Sequence, residues 1–191
     1  IPWMKDDLER SIRKASIVGI HNTDYFPQKG KLARHKAWGG SLNNFINDFG
    51  VEDEQKINAM LFLYNLGLVG QLVKSKNVLL INSRASKVAS LFKDNGGFKK
   101  YHDIYPKDVH FVNIPEGVTF PYSVCRKEQT IESFYQDVMS QVSGLGRDVL
   151  SEVDCVLIGA GIIGKSIAVD INSMCPNSVA IDIGCLFSLY G

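Results

Sequence analysis

The sequence predicts an α/β fold, a mostly parallel sheet with helices on both faces. Short and almost unbroken apolar segments, VLLI at 78–81, VHFVNI at 109–114 and VDCVLI at 153–158, read as strands buried on both sides. Longer segments with helical apolar spacing run between them, the alternation that builds a parallel sheet. A glycine-rich turn, GAGIIG at 159–164, joins the last of these strands to a helix.

The elements follow in order. Residues 6–14 form a short helix, acids first and bases last, which suits the helix dipole. ASIVGI at 15–20 is a compact buried strand. Residues 21–40, rich in glycine, histidine, lysine and aromatics, form a connection long enough to be expected to carry function. Ser41 caps a helix that runs through Phe49 and ends at Gly50. From Glu54 the apolar set Ile57, Met60, Leu61 and Tyr64 has helical spacing. A helix is therefore expected there, interrupted near Gly67 and Gly70 and running out at Lys76. Strand 78–81 leads to a helix over 85–93, and strand 109–114 stops at Pro115. A loop to about residue 129 precedes a helix over 131–142 that extends irregularly to Leu150. The last unit is strand 153–158, helix 162–173 and strand 179–183. With no repeat, low-complexity tract or linker, a single domain over 1–191 is expected.

A net charge of +1 argues against a general nucleic-acid binder. No apolar run approaches the roughly 20 residues of a membrane-spanning helix. The start, Ile1-Pro2-Trp3, lacks the basic and then apolar build of a signal peptide. Cys125, Cys155, Cys175 and Cys185 include no C-x-x-C pair and no histidine at finger-like spacing, so no structural zinc is expected. Cys155 and Cys185 read as buried small hydrophobes, and reduced core thiols suit a cytoplasmic protein. A chain opening on Ile1 and closing on Gly191 so soon after a strand is expected to be processed or part of a longer protein.

The glycine turn has two readings. In the dinucleotide fingerprint, small residues let the backbone approach a pyrophosphate, and an acid about 20 residues on takes the ribose. Gly159, Gly161 and Gly164 fit the glycines, and Asp182 at the end of the next strand fits the acid. An NAD(P)-dependent oxidoreductase would, however, open on this fingerprint, which here falls near the end of the chain. The same glycines also suit close packing of strand and helix.

A more specific pattern is Ala160, Gly161, Gly164 and Lys165 as A-G-x-x-G-K, a helix, Ala180-Ile181-Asp182-Ile183-Gly184, and a tail with Phe187 closing on Gly191. It resembles the GT-D type glycosyltransferases of bacteria and their GT-D-like relatives. The family's S-x-x-R-x-G-D-G-E segment falls here on Ser16-Ile17-Val18-Gly19-Ile20-His21-Asn22-Thr23-Asp24. Gly19 replaces the arginine, and Asn22 and Asp24 take the two acidic positions. The resemblance implies a Rossmann-like, GT-D-like fold and transfer of a hexose from a nucleotide sugar, expected to be UDP-linked, to a protein or glycan acceptor. It also implies Mg²⁺ or Mn²⁺ at Asp24, where such an ion shares carboxylates and nucleotide phosphates. Asn22 in place of an acid equally suits a metal-independent enzyme or a non-catalytic nucleotide- or sugar-binding module.

Glycosyl transfer needs a diphosphate clamp and usually a general base for the acceptor hydroxyl. Asp24 is the first candidate for base or metal ligand, and His21 for base or phosphate donor; Asn-Thr-Asp is also good turn chemistry. Asn22 is a candidate for nucleotide-sugar binding, as are Lys31 and Arg34 in a basic stretch beside Tyr25, Phe26 and Trp38. Cations there would stabilise a leaving diphosphate and an aromatic would stack on base or sugar, though the stretch also reads as a solvated loop. Arg84, directly after strand 78–81, suits a bidentate phosphate contact or a salt bridge at a helix start. Lys165 in the first turn of a helix opposes the dipole and so implies an anion nearby. Asp182 is expected to face the cleft or to cap the next turn. The His-Asn-Thr-Asp bend and the Gly-Lys bend are expected to border one crevice.

Overall fold

The computed structural model describes residues 2–16, 18–20, 56–58, 66–93, 105–114 and 131–184. The chain divides into two compact units, Ile1–Tyr64 and Asn65–Gly191.

In the first unit α1 spans Pro2–Lys14. It begins before the acids at its expected start because proline, with fixed φ and no N–H, is well suited to a first helical position. Asp7 pairs with Arg10 and Glu9 with Arg13, at the spacings that make neighbours on a helix face. Strands β1 (Val18–Ile20) and β2 (Lys56–Asn58) run parallel, with Gly19 opposite Ile57. The helix expected from Glu54 is thus corrected at 56–58. Lys-Ile-Asn, one apolar residue between two polar ones, fits period 2 as well as it fits a helix, and the partner strand decides between them. Met60, Leu61 and Tyr64, the loop over 21–40 and the helix expected from Ser41 lie outside the described residues.

The second unit comprises α2 (Leu66–Val73), β3 (Asn77–Asn82), α3 (Ala85–Lys93), β4 (Asp108–Asn113), α4 (Ile131–Ser143), α5 (Arg147–Glu152), β5 (Cys155–Gly159), α6 (Gly164–Asp170) and β6 (Val179–Asp182). The four strands form one parallel sheet in the order β4-β3-β5-β6, an α/β architecture. Every residue of β3 and β5 is buried, which is why both read as unbroken apolar runs. Alternation along them supplies two cores. Val78, Leu80, Cys155 and Leu157 meet Val69 and Val73 of α2 and Ala85, Val88, Ala89 and Phe92 of α3. Leu79, Ile81, Val156 and Ile158 face the other way, toward Phe134, Val138, Met139 and Val142 of α4, Leu150 of α5 and Ile167 of α6.

The connections follow the same division. The β3-to-β4 connection carries α3 on one face, whereas the returns to β5 and then β6 carry α4, α5 and α6 on the other. Right-handed crossovers moving in opposite directions must use opposite faces. The helix expected to extend irregularly to Leu150 instead stops at Ser143; Gly146 at φ +88°, a value glycine adopts without a Cβ penalty, separates it from α5. The segment expected as one helix over 162–173 is α6 flanked by 3-10 turns at Gly161–Ile163 and Ile171–Ser173. Among the described residues no helix is long and apolar enough to cross a membrane. Cys155 is buried as expected, and burial pushes its thiol up to about 12, so it stays protonated and unreactive at neutral pH. Cys175 is buried as well. Cys125 and Cys185 lie outside the described residues.

Candidate functional site

The parallel register brings the carboxyl ends of all four strands to one edge, with Asn82 opposite both Asn113 and Gly159, and Ile158 opposite Asp182. Between β3 and β5 the direction of winding across the sheet reverses, β3 feeding a helix on one face and β5 a helix on the other. Open α/β sheets bind ligands in the crevice outside such a switch point. Two turns flank it here, Asn82-Ser83-Arg84 after β3 and Gly159-Ala160-Gly161 after β5.

At the first turn Asn82, 7% exposed, donates from Nδ2 to the Gly159 carbonyl at 3.1 Å. Its Oδ1 accepts the Arg84 N–H at 2.9 Å. Asn113, ending β4, accepts the Ser86 N–H through Oδ1 at 2.9 Å. Two asparagines from strand ends thus satisfy donors at the start of α3. Arg84 sits half-buried at this turn, which places it at the switch point.

The glycines of the second turn answer different demands. A Cβ on Gly159 would lie 2.7 Å from the Gly184 carbonyl oxygen and closer still to the Asn82 amide nitrogen. Gly161 has φ +57°, in the left-handed region. A Cβ on Gly164 would lie 2.9 Å from Asp182 Oδ1. That carboxylate, whose side chain is 16% exposed, accepts Lys165 Nζ on Oδ2 at 3.0 Å and the Gly184 N–H on Oδ1 at 3.0 Å. Ile183 is buried, and its N–H reaches the Ile158 carbonyl at 2.8 Å. The G-K turn and the A-I-D-I-G strand are therefore one interlocked unit. Gly164 makes room for the Asp182 carboxylate, Lys165 neutralises it, and Gly184 takes its cap.

This geometry accounts for Lys165 without a bound anion, since its counter-charge is Asp182. The cap expected of Asp182 on the turn after β6 is present, its Oδ1 accepting the Gly184 N–H. The acid of the NAD(P) reading is engaged within the chain, each oxygen of Asp182 accepting one hydrogen bond, from Lys165 and from the Gly184 N–H. Asp182→Ala is expected to cost about 2 kcal/mol, since a half-buried N–H and an ammonium both lose their acceptor. Lys165→Met is expected to cost less than about 1 kcal/mol, as its side chain is 40% exposed. Urea unfolding of the two variants checks that ranking.

Of the residues singled out from sequence, Arg84, Gly159, Gly161, Gly164, Lys165 and Asp182 all fall on this edge. His21, Asn22, Asp24, Lys31 and Arg34 lie outside the described residues, and with them the expected His-Asn-Thr-Asp bend. Among the described residues no cluster of three or more His, Cys, Asp and Glu side chains is placed to hold a metal ion. Asn82 was not among the expected residues. Its signal was a polar residue ending an apolar strand in Asn-Ser-Arg, an order that suits an Asx turn.

No curated protein and no solved structure matches the chain. A family model described as a GT-D fold-like domain matches residues 2–190, a span that includes the A-G-x-x-G-K and A-I-D-I-G segments interlocked at the carboxyl edge. The parallel α/β sheet agrees with that match, and the chain belongs to the GT-D-like family, whose fold is of glycosyltransferase type.

Proposed function

We propose that this chain is a nucleotide-sugar-dependent glycosyltransferase domain that moves a hexose from a UDP-linked donor to a hydroxyl of a protein or glycan acceptor. The observation that carries the reading is the switch point between β3 and β5. There Arg84 and the glycine turn after β5 stand together at the carboxyl edge of a glycosyltransferase-type fold. The diphosphate would be held by Arg84 and by backbone at Gly159 and Gly161; Lys31, Arg34 and Asn22 are assigned to nucleotide-sugar binding on the sequence alone. The acceptor oxygen attacks the anomeric carbon as the bond to the diphosphate breaks. The electron pair leaves on the nucleoside diphosphate, and the acceptor proton goes to Asp24 or His21. Mg²⁺ or Mn²⁺ held at Asp24 would offset diphosphate charge. Lys165 and Asp182 keep the edge in shape and are not assigned to the ligand.

Thermal unfolding with uridine, guanosine and thymidine diphosphates, with and without Mn²⁺, and with NADH, tests this reading. A nucleoside diphosphate at about 100 times its dissociation constant is expected to add roughly 2.7 kcal/mol. Stabilisation by NADH alone would overturn it. Asn22 at an acidic position of the family pattern favours one second reading, a non-catalytic binding module. Diphosphate binding without donor hydrolysis or transfer would support that module instead.

A further inference from the structure

We infer that Asn82 is a positioning residue of the ligand site, its amide fixing the spacing between the turn after β3 and the turn after β5; the inference rests on the glycosyltransferase reading above. An amide in an apolar sheet is costly unless both ends are hydrogen-bonded. Asn82 is 7% exposed and uses both, Nδ2 on the Gly159 carbonyl and Oδ1 on the Arg84 N–H. The pairing of β3 with β5 ends at Asn82 and Gly159, so past that pair this side chain continues the tie between the two strands. The fit is reciprocal, because the space that a Cβ on Gly159 would need is filled by the Asn82 amide and the Gly184 carbonyl. The bridge lies at the reversal of the sheet, between the residue assigned to phosphate and the turn assigned to the same diphosphate. Asn82 acts through these neighbours and is not assigned a ligand contact.

Asn82→Asp separates its two bonds. The aspartate still accepts the Arg84 N–H, but when ionised it sets a carboxylate against the Gly159 carbonyl. Protonated, it restores a donor. Burial raises a carboxyl pKa, so the variant is ionised at high pH and regains its donor as pH falls. Titration calorimetry with the uridine, guanosine and thymidine diphosphates, well below the melting temperature, reads the effect. Relative to wild type at the same pH, affinity of the variant is expected to fall about tenfold near pH 8 and to return to within about twofold near pH 5.5. Asn82→Ser, whose hydroxyl is too short to span both partners, is expected to bind weakly at both pH values and covers the case in which the aspartate variant does not fold. A purely structural Asn82 would lower the melting temperature while leaving both the affinity of the folded variants and its pH ratio at wild-type values. That result, with wild type binding, overturns this inference alone. A wild type that binds none of the diphosphates overturns the glycosyltransferase reading and this inference together.

Discussion

Gly159→Ala is expected to lower the free energy of unfolding by about 3 kcal/mol, a drop of roughly 6–12 °C in melting temperature for a chain of this size. The new methyl would stand 2.7 Å from the Gly184 carbonyl oxygen and closer to the Asn82 amide, in a strand with every residue buried. Gly184 cannot simply withdraw. It sits at φ +56° in a turn capped by Asp182, and the neighbouring Ile183 N–H is bonded to Ile158. The Asn82 side chain is the softer obstacle. Moving it breaks its bond to the Gly159 carbonyl and leaves a buried amide without that partner. Both costs fall at the switch point, so nucleoside diphosphate affinity of the folded variant is expected to fall with stability. Denaturant unfolding and titration calorimetry on the same preparation check the pair. A melting temperature within about 2 °C of wild type would mean that the close approach at Gly159 is relieved cheaply.

Leu157→Ala is expected to cost a similar amount, about 3 kcal/mol within the 2–5 typical of a buried leucine, for an unrelated reason. Leu157 is 1% exposed at the centre of β5, opposite Leu80 and Ile181, on the face covered by α2 and α3. Truncation removes apolar surface from a core and leaves a cavity that neighbours on a hydrogen-bonded sheet fill poorly. The Asn82 bridge and the Asp182 cap lie at the carboxyl edge, outside this cavity. Affinity of the folded variant for nucleoside diphosphates is therefore expected to stay at the wild-type value. The two substitutions thus separate stability from site geometry. Leu157→Ala lowers only the urea midpoint, whereas Gly159→Ala lowers midpoint and affinity together.

The alternation of apolar runs with helical spacing was sufficient for the α/β class and for most of the second unit. The helix over 85–93 stands where its spacing puts it, and strands 78–81, 109–114 and 153–158 shift by two residues at most from their expected ends. These segments are legible because a strand buried on both faces can carry almost nothing but apolar side chains, and an amphipathic helix must repeat near 3.6 residues. The same locality explains the miss at 56–58. Three residues hold too little periodic information to choose a state, and pairing with Val18–Ile20 makes the choice.

The residue types of the edge were likewise open to inspection, since a glycine turn after a strand and an acid ending the next one are local patterns. Their partners were not. That Lys165 is neutralised by Asp182, that Gly164 is small to admit that carboxylate, and that Asn82 spans from β3 to Gly159 all depend on strand order. Sequence by itself determined which segments become strands and helices and which residues can do chemistry at their ends. Only the tertiary structure decided the β4-β3-β5-β6 order, and with it the switch point, because pairing between strands far apart in the chain follows from how both faces of the sheet are covered at once.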